Sequence, residues 1–129
     1  MNPIYVRNTD KYGRGIYAAR DIKTGELFEV SPVLISPQNE WEYIEKTVLV
    51  DYCFTWGKNY KQTAIALGYG SLFNHSYTPN AVFVYNVENL SIDFYAITNI
   101  SRNEEITINY NCDPEDNSAV WFEVIDYIT

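Results

Sequence analysis

The sequence predicts a mostly β fold in one domain, and three observations carry that expectation. Apolar residues alternate with period two in short runs at 81–87, 91–97 and 104–110. Turn signals separate the runs, at Glu88-Asn89-Leu90 and Ser101-Arg102-Asn103. With 129 residues, 47% of them hydrophobic, the chain has room for one core and is too apolar to be largely disordered.

Taken in order, residues 4–6 suit a short strand, and the turn-rich stretch 8–15 leads into another beginning at Ile16. A third strand is predicted from Glu26 to Ile35, broken at Pro32. Ser36 and Pro37 suit an N-cap and first helical position, and Trp41, Ile44, Val48 and Tyr52 follow at helical spacing, so a helix is expected there. A second short helix is expected from Tyr60 to Leu67, ending at Gly68. Beyond a loop at 68–80, the runs at 81–87 and 91–97 read as a hairpin. In the last strand Ile106, Ile108 and Tyr110 share a face. Residues 19–26 and 97–104 echo each other in outline and predict two similar turns, with Gly25 and Asn103 suited to left-handed geometry.

Composition removes several function classes. The net charge of -8 repels bare nucleic acid and attracts a basic peptide, so no direct nucleic-acid partner is expected. One histidine and two distant cysteines, Cys53 and Cys112, cannot complete a zinc site, and free thiols are expected. No apolar run approaches membrane-spanning length, and the first residues lack a secretory pattern. An intracellular protein, cytoplasmic if prokaryotic, is the expectation. The Gly13-Arg14-Gly15 pair lacks the rest of a dinucleotide fingerprint.

The stretch GYGSLFNHSYTPN, residues 68–80, crowds two glycines, Asn74, His75, Pro79 and Asn80 into a shaped loop. Taken alone, His75 reads as a hydrogen-bonded loop histidine, and Tyr52 as a core residue. Together with YGRGIYAARDIKTGEL near the start and ISRNEEITINYN near the end, the loop resembles the SET-domain protein-lysine methyltransferases. The likeness spans roughly Val6 to Cys112, with the three parts in family order.

That resemblance implies several small curved sheets with short helices and a knot-like crossing near the C-terminus, where 68–80 and 104–111 meet. It implies S-adenosyl-L-methionine as methyl donor and a lysine-containing protein or peptide as substrate, entering a channel from the opposite side. By resemblance, Gly13, Arg14, Gly15, Asn74 and His75 hold the methyl donor. Tyr110 is the active-site tyrosine and Tyr52 a second catalytic one, with Phe83 and Ile108 completing the substrate channel. Phe83 and Ile108 carry no hydroxyl to anchor the amine, which tilts the expectation toward di- or trimethylation. The substrate lysine is expected to lose its proton to water, with abstraction by Tyr110 as the alternative.

The chain departs from many relatives in lacking flanking zinc-binding cysteines. Residues 113–129 would substitute for the usual closing region within a single domain spanning 1–129, with Trp121 placed to stack on adenine or plug the core. A homodimer through the aromatic C-terminus is compatible with the sequence but has no specific signal. The competing function is a catalytically weak module that binds lysine peptides through Tyr52, Phe83 and Tyr110.

Overall fold

The computed structural model describes residues 2–111 and Glu115. Among them, nine strands form two sheets. The smaller contains β1 (Ile4–Asn8), β2 (Arg14–Ala18), β6 (Asn74–His75) and β9 (Glu105–Ile108) in the order β1-β2-β9-β6. The larger contains β3 (Leu27–Ser36), β4 (Cys53–Trp56), β5 (Gln62–Ala66), β7 (Ala81–Asn86) and β8 (Ser91–Ala96) in the order β4-β5-β3-β8-β7. The mostly β expectation holds.

β9 lies between a strand from the start of the chain and one from its middle. It pairs antiparallel with β2, Ile16 opposite Ile106, and parallel with β6, His75 opposite Ile108. Ile16, Ile106 and Ile108 are fully buried, so the period-two pattern read from the sequence fixes this register against the core. The core continues through Phe73, Phe83, Ile92 and Phe94, with Phe73 stacked on Phe94 at 4.5 Å between ring centres. Segments 68–80 and 104–111 meet as expected: Asn80 accepts from the Thr107 amide (2.9 Å) and donates to the Glu105 carbonyl (2.8 Å).

The echoing turns face one another. Ile22 and Ile100 exchange backbone hydrogen bonds in both directions at 2.8 Å. The Gly25 amide donates to Ala96 and the Asn103 amide to Ala18, each at 2.7 Å. Even the side-chain caps mirror: the Thr24 amide donates to Asn99 Oδ1 (3.0 Å), and the Arg102 amide to Asp21 Oδ1 (2.9 Å). Gly25 (φ 86°) and Asn103 (φ 69°) both adopt the left-handed conformation anticipated for them.

Three expectations need correction. β3 runs unbroken through Pro32, because it pairs with β8 up to that residue and with β5 after it, and a missing N–H is tolerated at such a changeover. The long helix at 36–52 is absent. In its place stand a 3-10 turn at Gln38–Glu40, a four-residue helix α1 (Trp41–Ile44) and a second 3-10 turn at Val48–Asp51, the last capped by the Thr47 hydroxyl, which accepts from Leu49 N. Trp41, Val48 and Tyr52 are exposed, so their spacing forms no stripe against a core. The predicted helix at 60–67 is a short 3-10 turn followed by β5, since Asn59 and Tyr60 take positive φ and Thr63 and Ile65 favour a strand.

Candidate active site

Two adjoining cavities open beside the β6–β9 crossing. The smaller, of about 160 Å³, is walled by the rings of Phe54, Phe73, Phe83 and Tyr85, with Tyr52 and Tyr110 at its end. The larger, of about 370 Å³, has Tyr12, Arg14, Leu72 and Asn74 on its wall. Five residues line both: Asp51, Tyr52, Ser71, Phe73 and Tyr110. The shared residues mark the seam where an occupant of one would meet an occupant of the other.

Tyr110 is held at that seam from two sides. Its amide donates to His75 Nδ1 (2.9 Å) and its hydroxyl donates to the Phe73 carbonyl (2.6 Å). Since Nδ1 accepts, the neutral His75 ring carries its proton on Nε2. The two rings lie 5.2 Å apart, and Tyr77 meets the His75 ring edge-on at 4.5 Å. Burial pushes the Tyr110 phenol well above its ordinary value, and the charges of Tyr52, Glu105 and Tyr12 push the same way. With its proton committed to a carbonyl, this hydroxyl meets further groups only as an acceptor.

Arg14 and Asn74, from β2 and β6, line the larger cavity only. Gly13, in a positive-φ turn, and Gly15 bracket Arg14, whose carbonyl accepts from Asn74 Nδ2 (3.2 Å). The same Nδ2 donates to Glu105 Oε2 (2.9 Å), tying β6 to β9. A Cβ on Gly15 would lie 2.6 Å from that carboxylate oxygen and 2.8 Å from the Asn74 nitrogen, so a side chain there would displace both groups.

Of the residues singled out in the sequence, Arg14, Asn74, Tyr52, Phe83 and Tyr110 line the cavities. Gly13 and Gly15 flank Arg14 in the chain and line neither cavity. His75 is buried behind Tyr110, and Ile108 is fully buried in β9; neither lines a cavity. Trp121 and, apart from Glu115, segment 113–129 lie outside the described residues. Tyr12, Asp51, Ser71, Phe73 and Tyr85 were missed. Tyr85 was within reach, because it follows Phe83 by two in the same strand and must share its face. Among the described residues there is no cluster able to hold a metal ion and no helix long and apolar enough to cross a membrane.

The SET-domain profile matches residues 13–111, more than half of the chain. The chain belongs to the SET-domain family. A Schizosaccharomyces pombe relative, the histone-lysine N-methyltransferase specific for H3 lysine-37, is 34% identical over 123 residues, covering 95% of this chain and 78% of the relative. With that match, this SET domain is an enzyme of the methyltransferase class. A crystal structure of a Plasmodium falciparum protein described as a histone methyltransferase superposes with a TM-score of 0.66 at 29% identity, covering 85% of this SET domain and 94% of that chain. The Chaetomium thermophilum Polycomb Repressive Complex 2, in an autoinhibited conformation bound to S-adenosylmethionine, matches at TM-score 0.70 and 22% identity. There the match covers 84% of this chain and 15% of the other, and it bears on the fold alone.

Proposed function

We propose that this SET domain transfers a methyl group from S-adenosylmethionine to the ε-amine of a lysine in a protein, with a histone-like basic tail as the substrate class. The observation that carries the reading is the pair of cavities, one aromatic and one more polar, joined at Tyr110. The residues of the larger cavity suit the methyl donor: a guanidinium at Arg14 for a carboxylate, the Asn74 amide and main-chain groups for polar edges, and Tyr12 and Leu72 for its apolar parts. S-Adenosylmethionine supplies an electrophilic methyl group on a positively charged sulfur.

The remaining work falls to this chain. The smaller cavity would take the lysine stem, whose four methylenes gain about 3 kcal/mol on burial against Phe54, Phe73, Phe83 and Tyr85. The same rings exclude water and hold the amine on one line of approach, which removes much of the entropic barrier to transfer. The Tyr110 oxygen, accepting at the seam, orients groups that carry partial positive charge. It is not the base, because a phenol with a raised pKa and a donated proton does not take up another. The lysine proton leaves to water through the mouth, where Tyr52 is exposed.

The test is transfer of labelled methyl from S-adenosylmethionine to lysine-rich proteins, with mass spectrometry of the modified residue. Wild type is expected to give product, and Tyr110→Phe to lower kcat by about 10- to 100-fold with methyl-donor affinity changed less than threefold. Folded wild-type protein that binds lysine peptides but neither binds nor uses the methyl donor would overturn the reading in favour of a peptide-binding module.

A further inference from the structure

Asp51 lines both cavities, and among the described residues its carboxylate is the single formally charged side chain lining the smaller one. It closes the 3-10 turn Val48–Asp51, where the next amide, Tyr52 N, returns to the Leu49 carbonyl at 3.0 Å. The residue is exposed, so its carboxylate keeps its hydration although Asp51 shares the cavity lining with the aromatic rings. Its charge is felt there: burial is the main cause that raises the Cys53 thiol pKa, and Asp51 adds to it.

We infer that Asp51 is a specificity residue, which draws the protonated ε-ammonium of the substrate to the mouth of the aromatic cavity and holds it until the proton leaves. The inference rests on the methyl-transfer reading above. An ammonium moving from water into a ring-lined cavity loses hydration, and the rings return only part of that loss. A carboxylate at the rim makes up the rest without itself being buried. The titratable groups that share the smaller cavity's lining with Asp51 are Tyr52, Cys53, Tyr85 and Tyr110, and those that share the larger one's are Tyr12, Arg14, Tyr52 and Tyr110. Arg14 lines only the larger cavity, so the approach of a cation through the smaller one is opposed by no like charge on its wall.

Holding the ammonium has a second effect of opposite sign. A carboxylate beside the amine favours its charged form, so it tightens capture while delaying loss of the proton. The proton passes from nitrogen to water; a carboxylate is too weak a base to keep it. Asp51 therefore acts on KM and on the pH dependence of kcat in different directions, which a purely structural residue would not do.

The experiment is steady-state methylation of a lysine peptide by the intact protein, for wild type, Asp51→Asn and Asp51→Glu, at low and high salt and from pH 6.5 to 9.5. Asp51→Asn is expected to raise peptide KM about 5- to 10-fold at pH 7 and low salt. It should leave kcat at pH 9.5 within about twofold and move the acid limb of the kcat profile down by roughly half a pH unit. Wild-type KM should climb with salt toward that of Asp51→Asn, whose KM stays flat, and Asp51→Glu should keep the wild-type pattern. An unchanged KM, or a rise that ignores salt and pH, overturns the inference. So does a parallel loss of methyl-donor affinity by calorimetry, which would assign Asp51 to the other cavity. A wild type that transfers no methyl group at all overturns the underlying reading instead.

Discussion

Tyr110 is positioned by its main chain as much as by its ring. The His75 imidazole takes the Tyr110 amide, and the Phe73 carbonyl takes its hydroxyl, so β6 and the residue just before it hold both ends of one residue. This places His75 Nδ1 in support of the tyrosine. The raised phenol pKa also links Tyr110 to stability. Below about pH 10 the residue is protonated in both the folded and the unfolded chain, and its contribution is complete. Above that value the unfolded chain ionises first, so stability falls as pH rises toward the higher native value. Urea unfolding at pH 9 and pH 11 should show a loss that is smaller in Tyr110→Phe by about 1 kcal/mol. Equal losses in both proteins would mean that Tyr110 ionises as an ordinary phenol.

Among the elements, those organised by period two were legible, and those organised by tertiary packing were not. The 81–86 and 91–96 hairpin and the closing strand appear where apolar alternation placed them. Segment 37–55 misled because Trp41, Ile44, Val48 and Tyr52 recur at helical spacing with no buried residue among them. Tyr52 and Asp51 reach the site from this segment through a 3-10 turn, and nothing in sequence spacing signals that turn. Two glycines separate conformation from close approach. Gly25 has φ 86° and open space around its Cβ position, so Gly25→Ala should cost about 1 kcal/mol and leave methyl-donor binding intact. Gly15→Ala meets Glu105 and Asn74, so it should cost about 1–3 kcal/mol and weaken methyl-donor binding as well. Denaturation and calorimetry on the two variants check both statements, and equal losses of binding would contradict the distinction.

For the molecule as a whole, the order of motifs along the chain was enough to anticipate that its middle and its end meet. The sheet order could not be read, because inserting β9 between β2 and β6 is a property of long-range pairing that no local pattern encodes. The two cavities likewise arise only once five residues from three stretches of chain share one seam. The mirrored turns around Ile22 and Ile100 have a mechanical consequence. They bolt the end of β2 to the end of β8 through reciprocal bonds, so that corner of the molecule behaves as a fixed pivot. Play is left to residues 38–51, none of which is buried. Hydrogen exchange should find the Ile22 and Ile100 amides among the slowest and those of 38–51 among the fastest; comparable rates would remove the pivot. Tyr110 is clamped at the seam by His75 and Phe73, whereas Asp51 and Tyr52 reach the same seam from an exposed turn, so one wall of the cavities is riveted and the other only leans on it.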